Sequence, residues 1–322
     1  MRELIEKCLV SSIRLAQPSS RQASLYILIY HSVFEQRDFM RPNEPTRDEF
    51  RDQMQLIKKY FNPVSLPKAI DMLANGELAA NSIAVTFDDG YMNNFTVAKP
   101  VLDELGIPAT FYVSTAFSNG AMMWNDRVIE TFRALDSIDL SSIGLGVVHT
   151  ERADQKRSEA EKVIQRIKHK DYHDREAIVR SIEEQCSRPQ SSLMMSPCEI
   201  KALHDAGYEV AGHTVTHPIL SVLDDQAARE EILQGKLALE SIIGREVVGF
   251  AYPNGRKASD YTDRDVALVT DLGFKYAVTT HWGCNRERTN PYELMRFTPW
   301  DRKPLRFLMR LLLTDKYYTA FE

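Results

Sequence analysis

Residues 82–90 read Ser82-Ile83-Ala84-Val85-Thr86-Phe87-Asp88-Asp89-Gly90. The first six are apolar or β-favouring, as in a strand buried on both faces. The last three stop that strand with two adjacent carboxylates and a glycine that lets the backbone turn sharply. The pattern repeats on both sides of this stretch. Upstream, Leu25-Tyr26-Ile27-Leu28-Ile29-Tyr30 is a continuous apolar run that ends at His31-Ser32. Between the two runs, Phe50, Met54, Ile57 and Phe61 share one face of a helix expected over 46–60, and 67–78 reads as a second helix. Downstream, helix signals continue to about Leu105, Gly106 and Pro108 break the chain, and 109–113 is a third strand. Strand and helix alternating in this way predict an α/β fold, a parallel sheet with helices outside it.

The alternation resumes near Ser196-Pro197, where Glu199 marks a helix start. A short strand 209–212 leads to His213. A long helix 224–243 stops at Gly244, and a strand 247–252 ends in Pro253-Asn254-Gly255. A helix over 263–271 and strands over 276–280 and 294–297 complete the series, enough repeats for a closed or distorted barrel. Three segments stand outside it: residues 1–23, an amphipathic helix and polar linker; 121–195, a charged and mostly helical insertion with the character of a lid or a surface elaboration; and 304–322, a basic amphipathic helix. The barrel domain is therefore expected over 24–303.

The chain has 322 residues, 43% hydrophobic and 26% charged, with a formal net charge of -5. That is ordinary for a soluble globular protein and offers no positive field for nucleic acid. Cys8, Cys186, Cys198 and Cys284 are scattered and form no C-x-x-C pair, so free thiols are expected. The opening MRELIEKCLVSSIRLAQPSS lacks the unbroken apolar core of a secretory signal, and no run is long enough to span a bilayer. These features predict a cytoplasmic protein. The tail carries Arg302, Lys303, Arg306, Arg310 and Lys316 beside leucines, a pattern that would suit either a membrane surface or packing on the barrel.

Chemistry concentrates at two strand ends. Asp88 and Asp89 repel one another, and a bound cation or a cationic neighbour would relieve them. Gly212-His213-Thr214-Val215-Thr216-His217-Pro218 carries two imidazoles four residues apart, which a helical turn would project to one side. Two histidines and a carboxylate form a three-ligand set that leaves positions open for water and substrate. Such ligands suit zinc, and also iron, cobalt or nickel. The second carboxylate is then free to act as a base.

Thr-Phe-Asp-Asp-Gly followed by His-Thr-x-x-x-His resembles the polysaccharide deacetylases of carbohydrate esterase family 4, the NodB-like group. The resemblance covers roughly residues 24–120 and 196–300. It implies a NodB-like distorted (β/α) barrel and a metal-dependent N-deacetylase acting on an N-acetylated glycan or glycan precursor. It implies Asp88 as catalytic base and Asp89, His213 and His217 as ligands of a divalent ion, most readily Zn2+, with Co2+, Ni2+ or Fe2+ as alternatives. The family's Arg-x-Pro-Tyr motif is replaced by Ala251-Tyr252-Pro253-Asn254-Gly255, so a backbone N–H at Asn254 would assist the oxyanion and Arg296, ending a late strand, is the candidate for the missing arginine. No Leu-x-His motif supplies an acid. Tyr30-His31-Ser32 resembles the Tyr-His-x-Val opening of the branch that includes poly-N-acetylglucosamine deacetylases, which makes His31 the candidate acid and His281 its rival. Trp124 is a candidate for the cleft border and Trp300 for the acetyl pocket. The alternatives are an amidase acting on a small non-sugar amide and an inactive carbohydrate-binding homologue.

Overall fold

The computed structural model describes residues 23–186 and 193–314. The elements run in the order β1 (Leu25–Tyr30), α1 (Arg47–Tyr60), β2 (Asn62–Pro63), α2 (Leu66–Ala74), β3 (Ser82–Phe87), α3 (Lys99–Leu105) and β4 (Ala109–Val113). Next come α4 (Trp124–Ala134), β5 (Ser137–Asp139), β6 (Val147–His149), α5 (Ala153–Ile167) and α6 (Tyr172–Glu183). The second half comprises α7 (Pro197–Asp205), β7 (Glu209–Gly212), α8 (Asp225–Ile243), β8 (Gly249–Ala251), α9 (Asp263–Asp271), β9 (Tyr276–Trp282), β10 (Leu294–Arg296) and α10 (Pro304–Thr314).

The main sheet is parallel throughout, in the order β1-β3-β4-β7-β8-β9-β10, with the short β2 beside β3. The last strand returns to the first: Phe297 donates its N–H to Ile27 O (2.7 Å) and accepts from Ile29 N (3.1 Å). The result is the nearly closed (β/α) barrel that the alternation predicts. Period-2 geometry decides which side chains enter it. Ile83, Val85 and Phe87 pack outward against the helices, whereas Ala84 joins an inner cluster with Tyr112, Ala211, Ala251 and Tyr276. The same alternation carries Thr86 and Asp88 inward, and likewise His213 after Ala211 and Arg296 after Leu294. Small residues inside leave room for that polar mouth. At the other end, Leu66, Ala69 and Leu73 of α2 close the inner cluster.

Several boundaries differ from the sequence-based expectation for local reasons. The helix expected before Leu105 opens with a π turn at Asn94–Ala98, because Pro100 has no N–H to offer the carbonyl of Thr96. The segment 121–195 contains α4, α5 and α6, but also an antiparallel hairpin of β5 and β6 whose three-residue strands are too short to show a period. Its apolar residues, among them Val128, Phe132, Val163 and Val179, form a core of their own. Most of the apolar face of α10 is packed: Phe307, Leu308, Leu311 and Leu312 are buried, while Leu305 and Met309 are exposed. No helix among the described residues is long and apolar enough to cross a bilayer. The N-terminal helix expected in 1–23 and the tail beyond residue 314 lie outside the described residues.

One buried carboxyl near the base of the barrel has a consequence for stability. Glu209 starts β7 and accepts from Thr110 Oγ1 (2.6 Å). Burial pushes its pKa from about 4.5 up to about 7. A raised folded-state value favours the protonated fold, so this stabilisation is complete below about pH 4.5 and is lost as pH rises through about 7. The loss is at most about 3 kcal/mol. Glu209→Gln should flatten the decline in urea-unfolding stability of the metal-free protein over that window. An unchanged pH slope would show that Glu209 stays ionised.

Candidate metal centre

Asp89, His213 and His217 converge at the C-terminal mouth of the barrel. His213 Nε2 lies 3.4 Å and His217 Nε2 3.5 Å from Asp89 Oδ1, and the three donor atoms all fall within 4.8 Å of one another. Ligand bonds of about 2.0–2.2 Å in a tetrahedral shell put neighbouring donors roughly 3.3–3.6 Å apart, so these spacings fit a zinc-sized ion. His213 Nδ1 lies 2.7 Å from Ala251 O, so it donates there and keeps the Nε2 lone pair facing the centre. Burial drives the His217 pKa down to about 4, so its imidazole is neutral as a ligand must be. Burial alone would raise Asp89, but the His213 hydrogen bond and the surrounding imidazoles hold it well below the usual carboxylate range.

The histidines do not sit on a helical turn. Residues 213–219 form an irregular loop with left-handed backbone at Thr214 (φ 64°) and His217 (φ 53°). Two features of α8 hold that shape, and neither was singled out from the sequence. Glu231 accepts from Val215 N (2.9 Å), Thr216 N (2.8 Å) and Thr216 Oγ1 (2.7 Å). Gly235 lets the helix touch the loop, since a Cβ there would meet the Thr214 carbonyl carbon at 2.9 Å. The one available signal was a glycine inside a long helix, a mark of close backbone approach. Glu231→Ala would orphan both loop N–H groups, and metal affinity should fall about 10–100-fold in competition with a chromophoric chelator. Unchanged affinity would show that the loop is held by other contacts.

Asp88 is a different kind of carboxylate. Arg296 donates through Nη1 to Oδ1 and through Nη2 to Oδ2, both at 2.7 Å, and through Nε to Thr279 O at 2.7 Å. Both side chains of this pair are buried. Burial would raise the Asp88 pKa, but the Arg296 charge and hydrogen bonds lower it. The residue paired with Asp88 thus comes from β10, the strand that closes the barrel.

These groups open into a cleft of about 820 Å3, which His31, Asn254 and Glu44 also line. The His31 carbonyl accepts from Asn94 Nδ2 (2.8 Å), and the Glu44 carboxylate accepts the neighbouring Ser32 N–H (3.4 Å). Asn254 takes a left-handed conformation (φ 59°), and no acceptor among the described residues meets its backbone N–H. The remaining candidates divide between this cleft and its surroundings. His281 Nε2 accepts the Lys257 N–H (3.0 Å), and neither His281 nor Trp282 is among the lining residues. Trp300 is 67% exposed and is not among the residues lining this cleft. Trp124, at the start of α4, does line it. So does Asp126, buried and held by Arg41 Nη2 (2.6 Å) and the Tyr91 hydroxyl (3.2 Å), and pushed up to about 6 by burial.

A profile of the family described as polysaccharide deacetylase matches residues 75–277. The chain belongs to the polysaccharide deacetylase family. Among curated proteins this polysaccharide deacetylase chain is similar to YxkH of Bacillus subtilis, whose own assignment to the family is provisional. The two are 21% identical over 280 residues, covering 86% of this chain and 72% of that one. Among solved structures it is similar to the Streptococcus pyogenes deacetylase PplD in complex with acetate (TM-score 0.59, 20% identity, 86% of this chain and 93% of that one). It is also similar to IcaB from Ammonifex degensii (TM-score 0.59, 20% identity, 92% and 98%). At these identities the structural likeness establishes the barrel shared by the polysaccharide deacetylases, and the chemistry rests on the residues themselves.

Proposed function

We propose that this family member is a metal-dependent N-deacetylase, hydrolysing the acetamide of an N-acetylated sugar in a glycan or glycan precursor to acetate and a free amine. One observation carries the reading: three donors converge at zinc-like spacing beside an ionised carboxylate, inside a cleft large enough for a sugar. Asp89, His213 and His217 would hold the ion, Zn2+ by preference and Co2+, Ni2+ or Fe2+ as substitutes. Such an ion supplies Lewis-acid activation of water and of the acetamide carbonyl.

The chain's own groups do the rest. Asp88 accepts the proton of the attacking water. Arg296 occupies one lone pair on each carboxylate oxygen, which fixes the plane of the base and leaves a second lone pair on each for that proton. The free N–H of Asn254 is placed to donate to the oxyanion. His31, protonated, donates to the departing amine, which leaves poorly as an anion.

Acetate release from N-acetylglucosamine oligomers, peptidoglycan fragments, sugar nucleotides and simple amides, with and without chelator, tests the proposal. Turnover of at least one N-acetylated sugar is expected, abolished by chelator and restored by zinc, with Asp89→Ala losing metal and activity together. Turnover confined to simple amides, or insensitive to chelator, would overturn it.

A further inference from the structure

A buried guanidinium normally keeps a carboxylate with it, because an unpaired charge out of water is costly. Three arginines withdrawn from solvent in or near this cleft follow that rule. Arg41 pairs with Asp126 and Glu130, Arg127 with Glu176 and Glu183, and Arg296 with Asp88. Arg175, in the first turn of α6, does not. It is 6% exposed and lines the cleft, yet among the described residues its side chain makes a single hydrogen bond, a long contact from Nη1 to Lys168 O (3.5 Å). It lies over the Trp124 ring, 5.0 Å from the centroid. Burial holds its pKa below the ordinary arginine value, and Tyr172, Glu176, Asp171 and Glu231 reach it through their charges without pairing with it.

Lys168 and Arg256 also line the cleft, and neither side chain forms an ion pair among the described residues. The cleft's carboxylates are already engaged: Asp88 by Arg296, Asp89 by the imidazoles, Asp126 by Arg41, and Asp260 by the Arg256 backbone N–H. Burial shifts the last, Glu44, towards its neutral form. None of these five carboxylates forms an ion pair with Arg175 among the described residues.

We propose that Arg175, stacked on Trp124, is an anion subsite, and that the N-acetylated substrate carries a phosphate or carboxylate that docks there. This deepens the deacetylase reading and rests on it. The guanidinium sits over the Trp124 ring, and a guanidinium edge offers parallel N–H donors that match the oxygens of either anion. A neutral polymer of N-acetylglucosamine would leave that charge buried and unpaired in the complex. A sugar phosphate, a diphosphate-linked sugar or an N-acetylated uronic acid would not.

The test uses the zinc-loaded protein with N-acetylglucosamine, its 1-phosphate, a uridine-diphosphate-linked form and an N-acetylated uronic acid. Calorimetric affinity and acetate release are measured for wild type, Arg175→Gln, and Arg180→Gln as an exposed control on the same helix. At least one anionic sugar should bind about 30-fold more tightly than the neutral one, and Arg175→Gln should cut that preference by about 10-fold or more while Arg180→Gln keeps it. The phosphate and carboxylate arms identify which anion the site takes. Arg175→Gln should also raise Tm, since it removes an unpaired buried charge. Equal affinity for charged and neutral sugars, or a preference that survives Arg175→Gln, would overturn the subsite. Calorimetry needs no turnover, so a preference without acetate release would sink the deacetylase reading alone, and acetate release without a preference would sink the subsite alone.

Discussion

Asp88→Asn is expected to retain the divalent ion and to lose about 10²–10⁴-fold in kcat on an N-acetylated sugar. The substitution is nearly isosteric, and Asp88 is not one of the three converging donors. Metal content should therefore match wild type. What disappears is the acceptor for the water's proton: an amide oxygen still accepts the Arg296 N–H but is far less basic than a carboxylate. Asp89→Ala should fail in the other way, losing metal and turnover at once. Metal analysis beside kcat separates the two adjacent aspartates, and a fully active Asp88→Asn enzyme would remove Asp88 from the chemistry.

Arg296→Met should destabilise the fold by about 3–5 kcal/mol, because it strands a buried carboxylate that the guanidinium now satisfies with two hydrogen bonds. Most of that cost comes from leaving Asp88 charged and alone. Combining Arg296→Met with Asp88→Asn should therefore cost clearly less than the two single changes added together, a coupling that urea unfolding can resolve. Additive effects would mean that the two side chains are independent and that the barrel mouth is held by other contacts.

The frame of the barrel and the outline of its centre were legible because each rested on a local regularity. Continuous apolar runs ending in polar residues located strands β1, β3 and β4 and placed Asp88, Asp89 and His31 at their ends. Arg296 was noticed for the same reason, as a charge closing a late strand. Geometry that depends on distant contacts was not legible. The His213–His217 spacing suggested a helical turn, but Glu231 and the close approach at Gly235 bend the loop into left-handed backbone that no propensity scale would choose. Trp300 follows Arg296 by four residues, and nothing local says that the chain has by then left the mouth. The insertion's charges were visible in sequence. Which of them finds a partner depends on how α4, α5 and α6 pack, so Arg175 stood out only once Glu176 and Glu183 were seen to be engaged with Arg127.

The union of β1 with β10 has a further consequence. Asp88, the proposed base, and its guanidinium clamp Arg296 are 208 residues apart along the chain. A nascent polypeptide emerging from the ribosome therefore presents both aspartates and both histidines long before the residue that orients the first aspartate has been made. On the proposed chemistry, competence would wait for the closing staves to meet, late in translation.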